Sequence, residues 1–145
     1  MDILFDTEPS LSLFILRVVL GVIFFAHGAQ KVLGWYGGPG LKGTVGFMAS
    51  MGLPVPIAYL VCFFEFLGGI GLVLGFLTRL AALAIAVVMA GAIVTVHWQH
   101  GFFLNWELTP GKGHGIEANL AYLAMALALL LDGAGMLSID RLILP

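Results

Sequence analysis

Residues 80–96 read LAALAIAVVMAGAIVTV and carry no charge along their whole length. At ~1.5 Å per residue, a helix extended from here to residue 98 crosses most of a bilayer's hydrocarbon core. The run is continuous, whereas a transmembrane strand shows ~10-residue blocks of alternating polarity. The stretch therefore predicts a membrane helix over 80–98. Three further apolar segments, 11–33, 56–76 and 115–131, share its character. Each reaches the roughly 17 to 25 residues of a spanning helix, the last at its lower limit.

The whole chain agrees with this reading. It has 145 residues, of which 61% are hydrophobic and 10% charged, and its mean hydropathy is +1.08. A soluble domain is about 25% charged, and one this small cannot hide so much apolar surface. Disorder requires low hydrophobicity and high charge. A net charge of -2 without a basic stripe excludes nucleic acid as a partner. Lipid supplies the missing apolar environment. The lone Cys62 sits in an apolar run, offers no disulfide or CxxC pair, and reads as a small filler. The acidic beginning, MDILFDTE, lacks the basic region of a secretory signal, so the first segment is expected to stay in the mature chain.

The expected architecture is all-α: one membrane domain over 1–145, an antiparallel four-helix bundle with two longer loops on one face. The connection at Leu77, Thr78 and Arg79 is very short, which makes its helices antiparallel neighbours. Residues 34–53 and 99–114 form the two loops, with Trp35, Tyr36, Trp98 and Trp106 as an interfacial aromatic belt. Gly71 and Gly75, the stripe Ala82, Ala86, Ala90, and the stripe Ala121, Ala124, Ala128 stand at helix-packing spacings. They predict the packed faces.

Polar residues are few and their depth is readable. His27 lies ~9 Å and Glu65 ~14 Å from the loop-face ends of their helices, so Glu65 is the deepest carboxylate. Burial disfavours its charge unless a cation sits close. His27 and Lys31 share a helix face at i, i+4, and Lys31 is positioned to neutralise Glu65 or to snorkel. His97 and Glu117 stand at the loop-face ends of segments three and four, in phase with the small-residue stripes. The expected site therefore comprises His27, Lys31, Glu65, His97 and Glu117, with Glu65, His97 and Glu117 facing the bundle interior and with His27 and Glu65 as the acid–base pair. Structural pairing accounts for the same residues without any chemistry. His97 and His100 form an HxxH pair and are weak metal-ligand candidates, because a wet interfacial helix end explains them better; no metal is assigned. His114 and Glu117 reverse the di-iron E-x-x-H order. Arg17 is expected to snorkel to the termini face, toward a lipid headgroup, Asp132 or Asp140.

Arg17-x-x-x-Gly21, His27-Gly28-x-x-Lys31, Gly52-Leu53-Pro54, Glu65-x-x-Gly68-Gly69, Leu74-Gly75-x-x-x-Arg79, His97, Glu117 and Gly133-x-Gly135-x-x-Ser138-x-Asp140 follow one another in this order. The set resembles the DoxX family of small four-helix membrane proteins, over roughly residues 16–142. The resemblance implies a bacterial or archaeal inner-membrane protein, an oxidoreductase or redox-associated subunit with a quinone link. Thiosulfate chemistry, from which the family takes its name, is not carried over to a chain with one cysteine. Cytoplasmic termini are expected, partly from the resemblance, since Lys31, Lys42 and Lys112 on one face nearly balance Arg17, Arg79 and Arg141 on the other.

Three readings of function follow. The first is a quinone or similar apolar ring bound in the loop-side half, where His and Glu supply hydrogen bonds and protons. Electron transfer would then require a flavin, iron or partner subunit. The second is a non-catalytic subunit or assembly partner of a redox complex, or a homo-oligomer, built on the small-residue stripes. The third is a small lipid-binding or transport protein using the buried Glu and His as a proton relay; the absence of an inverted repeat weakens it.

Overall fold

The computed structural model describes residues 2–144 and contains only helices, turns and loops. A short α1 (Asp2–Phe5) precedes α2 (Leu11–Val32), α3 (Gly40–Ser50), α4 (Val55–Leu74) and α5 (Thr78–Ala92). The axis of α5 continues through a π-helical turn (Ile93–His97) and a 3-10 turn (Trp98–His100). Then follow α6 (Glu117–Asp132) and a short α7 (Ile139–Ile143). Ser10 caps α2 by accepting from the Leu13 N–H at 3.3 Å. Gly75, in the left-handed conformation, ends α4 and turns the chain back into α5.

Glycine sets the closest helix pair. A Cβ on Gly28 would strike the backbone of Phe66, and one on Gly69 the backbone of Phe24 and Phe25. Gly21 likewise lies against Leu72 and Val73. These contacts fix α2 and α4 as antiparallel over their full length. Where lipid removes the hydrophobic force between helices, such backbone approach supplies much of the association. Gly68 and Gly71 of α4 meet Ile85 and Ala81 of α5. Asn119 of α6 lies against Met89 of α5, and the Phe24 and Tyr122 rings meet edge to face at 5.7 Å, joining α2 to α6. The core enclosed by these four helices includes Leu20, Phe24, Leu72, Ile85, Met89 and Leu129.

The outer faces are apolar too. Ile15, Val19 and Val22 on α2, Leu60, Leu67 and Leu74 on α4, and Leu83 and Val87 on α5, followed by Val94, all point away from the core. A chain apolar both inside and outside belongs in a bilayer. Leu11–Val32, Val55–Leu74 and Thr78–His100 are long and apolar enough to cross it. The segment expected over 115–131 forms the shorter α6, whose 16 residues give a helix only ~24 Å long.

Two expectations change. Residues 34–53 are not a plain loop, because they contain α3. Its glycines disfavour helix, but Val45 packs with Ala58 and Cys62 of α4, and Leu41 and Met48 join them. That tertiary contact overrides propensity. The stripe on α6 also points the other way. Ala121 and Ala124 are exposed, whereas Ala126 and Leu129 are buried. Ala90 is exposed as well, although Ala82 and Ala86 are buried.

Candidate functional site

Lys31 and Glu65 form a salt bridge between α2 and α4. Glu65 is buried, at 4% exposure, and the Lys31 side chain is 23% exposed. The cation that Glu65 needs is therefore supplied by the neighbouring helix. Gly28 makes this geometry available: it brings α2 onto Phe66, the residue after Glu65, one turn below Lys31. Phe66 then stacks on Phe25 at 5.8 Å. α3 lies over the pair, and its buried Thr44 donates to the Lys31 carbonyl at 3.4 Å.

His27 stands one turn below Lys31 on the exposed side of α2. It separates two open grooves. One, of about 480 Å³, lies between α2 and α3 and is lined by His27, Gln30, Lys31, Thr44, Phe47 and Met48. The other, of about 460 Å³, lies between α2 and α6 and is lined by Ala26, His27, Gln30, Tyr36 and Tyr122, with Val22 and Ile23 below. Both are open grooves at the surface and not enclosed cavities. Gln30 and His27 belong to both. Tyr36 is held in the left-handed region at φ 53° at the mouth of the second groove, with its carbonyl 3.5 Å from the Gln30 amide.

The remaining expected site residues lie elsewhere. His97 is half-buried at the end of the π-helical turn and donates from Nδ1 to the His114 carbonyl at 2.8 Å. Glu117 is half-buried and accepts from the Leu104 N–H at 3.3 Å. His100 packs its ring against Gly113. All three brace the segment 101–116, whose backbone is paired by Gly115 to Phe103, Ile116 to Gly101 and Glu117 to Phe102. The expected inward aim of His97 and Glu117 gives way to this loop. The Glu117 backbone is committed to Phe102, which turns its carboxylate toward Leu104. Among the described residues no hydrogen bond joins either side chain to Lys31 or Glu65, and His97 and His100 gather no third His, Cys, Asp or Glu.

The DoxX family model matches residues 12–98, from α2 through the π-helical turn. The chain belongs to the DoxX family. Its relatives include the Bacillus subtilis protein named "Putative oxidoreductase CatD", 38% identical over 93 residues. That alignment covers 64% of this chain and 65% of CatD, so the chain spans just under two thirds of that relative. Inner membrane protein YphA of Escherichia coli is 32% identical, with 94% of each chain covered. Membrane protein Rv3486 of Mycobacterium tuberculosis is 33% identical over 95% of this chain and 85% of its own. No solved structure matches. The DoxX match contains His27, Lys31 and Glu65 and stops before Glu117.

The opposite end of this DoxX chain holds a polar centre that sequence reasoning misplaced. Arg17 does not snorkel; it is fully buried. Its Nε donates to the Ala134 carbonyl at 2.9 Å, Nη1 to Leu72 and Val73 at 2.7 and 2.8 Å, and Nη2 to Met136 and Leu137 at 3.3 and 3.0 Å. The five donors of a guanidinium thus meet five carbonyls. Asp140, also buried, accepts from the Leu77 and Thr78 N–H groups at 2.7 and 2.8 Å and caps α5. Arg79 donates to the Leu130 and Leu131 carbonyls at the end of α6 and to the Asp6 backbone carbonyl. Gly75 and Ser138 flank the guanidinium, where a Cβ on Gly75 would meet both.

Proposed function

We propose that this protein is a redox-associated inner-membrane protein that holds a quinone, or a similar apolar ring, against α2 at the loop end of the bundle. The observation that carries this reading is the position of His27. It stands between two grooves and beside the Lys31–Glu65 pair, whose carboxylate is buried. Intramembrane ionisable groups in such a setting are functional by default. The donor set suits the ligand. Quinone carbonyls only accept hydrogen bonds, and the grooves present the Gln30 amide, the His27 ring and the Lys31 ammonium. His27 and Glu65 are the groups able to hold or pass a proton where the ring would sit. The name of CatD supports the redox association. His97 and Glu117 act on this reading by shaping the loop end, not by touching the ligand. The cytoplasmic placement of the termini end belongs to the same proposal, and a reporter fused after Leu144 reads it.

The test is a titration of the purified protein with a short-chain benzoquinone, alongside thermal unfolding of Glu65→Gln. The substitution keeps shape and hydrogen bonding but removes the charge. Lost binding with an intact fold is the expected result. Unchanged binding with a lowered melting temperature would make Glu65 a structural pair only.

A second reading, a subunit of a larger assembly, is favoured by the exposed Ala121 and Ala124 on α6, small residues that the chain itself leaves uncovered. Native mass spectrometry from mild detergent distinguishes it: a partner chain with no bound quinone supports the subunit.

A further inference from the structure

We infer that α3 is a hinged lid over the Lys31–Glu65 pair: it lifts from α4 as a unit and opens the α2–α3 groove to the buried carboxylate. Such a lid controls access whatever molecule the grooves receive, so it does not depend on a quinone.

Three observations set α3 apart from the helices it covers. Its core is its own. Val45 is buried with Ala58 and Cys62 of α4, and this cluster is separate from the one that holds α2, α4, α5 and α6 together. A helix held by so small an apolar contact belongs to the least stable part of a structure. Its polar tie is weak. Among the described residues one hydrogen bond joins α3 to another helix, from the Thr44 hydroxyl to the Lys31 carbonyl. At 3.4 Å it is longer than the ~2.5–3.0 Å usual for a hydroxyl donor. Its ends can turn. Gly40 opens the helix at φ 70° and Gly52 follows it at φ 91°. A Cβ on Gly52 would meet nothing within 4 Å, so that joint is not packed against the bundle. A few residues at element ends are what absorb the backbone change when a lid moves.

The motion uncovers the charged pair. Ala58, Cys62 and Glu65 form one stripe of α4, and α3 sits on the first two through Val45. The neighbouring Thr44 meets Lys31. The α2–α3 groove already reaches Lys31, but the Glu65 side chain is only 6% exposed. Thr44, Phe47 and Met48 form the α3 wall of that groove. Lifting this wall lays the pair open from the α3 side. Cys62, wholly buried, is exposed by the same movement.

Cys62 is the only cysteine in the chain, so its alkylation reads the lid without any ligand. Labelling by N-ethylmaleimide is followed by mass spectrometry on the full chain in lipid nanodiscs, with melting temperatures measured alongside. Val45→Ala loosens the seat of α3. Ile85→Val trims the main core, where Ile85 is fully buried against Gly68 of α4. Both should lower the melting temperature. Val45→Ala is expected to label about tenfold faster than the wild type, and Ile85→Val within about twofold of it, because only the first releases the lid. Equal acceleration in the two variants would make global unfolding the route to Cys62 and overturn the lid. So would Val45→Ala labelling no faster than the wild type. Hydrogen exchange separates swinging from melting. The opening constant read from the amides of residues 44–50 should be about tenfold smaller than the one read from Cys62. Equal constants would mean that α3 unravels in place and is no lid. The quinone reading stands or falls on its own titration, since none of these measurements contains a quinone.

Discussion

Arg17 and Lys31 lie on one helix, ~21 Å apart, and meet opposite surroundings. Arg17 is wholly buried and every donor is taken by a backbone carbonyl. Those carbonyls come from the end of α4 and from residues 134–137, where helical partners run out; the Leu72 carbonyl is shared with the Gly75 N–H at 3.2 Å. The guanidinium therefore closes the termini end as a cap shared by several segments. Lys31 has one acidic partner and remains partly exposed, beneath α3 and beside His27 and open grooves. The first charge is used up by the fold. The second is held in place, with donors still free to meet another molecule. A cation in a membrane helix is thus not a functional mark by itself; what counts is whether its hydrogen-bonding capacity is exhausted.

The largest effect is expected from Arg17→Met. It takes the donor from several buried carbonyls at once, each costing about 1–3 kcal/mol when left unsatisfied. Thermal unfolding in detergent should show it as the greatest loss among these variants, and a smaller loss than at Lys31 would reverse the contrast between the two ends. Lys31→Met should cost about 1–3 kcal/mol, because the abandoned Glu65 retains only partial access to water. The double variant Lys31→Met/Glu65→Gln should regain part of that stability, since no lone charge remains; identical melting temperatures for the single and double variants would mean the two side chains are not coupled. Gly28→Ala probes how the open end is positioned. Its new methyl meets the Phe66 backbone, and overpacking of this kind costs ~1–3 kcal/mol. It should also weaken quinone binding, because Lys31 and Glu65 part as the helices separate. The smallest effect belongs to Ala121→Leu on the exposed face of α6, within ~0.5 kcal/mol. A change in oligomeric state by analytical ultracentrifugation would instead mark that face as a contact between chains.

Much of the open end was legible in advance. Glu65 sits among Phe63, Phe64 and Phe66, so its depth and its need for a cation follow from position alone. Lys31 lay at a compatible depth and His27 on the same helix face. Gln30 and Thr44 were missed because neutral polar residues near helix ends carry no depth signal. Two grooves meeting at His27 are a property of how α3 and α6 lean on α2. Helical phase assigns a residue to a face of its own helix and does not say which neighbour that face meets. For that reason the α6 alanines were assigned inward, and His97 and Glu117 were expected beside Glu65.

The sequence by itself determined that the chain is helical and lives in a bilayer, because hydrocarbon admits no unpaired backbone and this composition admits no water-soluble fold. It also determined the family and the residues able to carry charge within the membrane. Tertiary structure alone decided the fate of each charge. Carbonyl acceptors are the same in every residue, so no side-chain pattern announces that residues 134–137 will fold over Arg17. The glycine-rich composition of α3 argues against the helix that its contacts with α4 create. Packing between elements, which settles both, is a sum over partners distant in the chain and is written in no single segment.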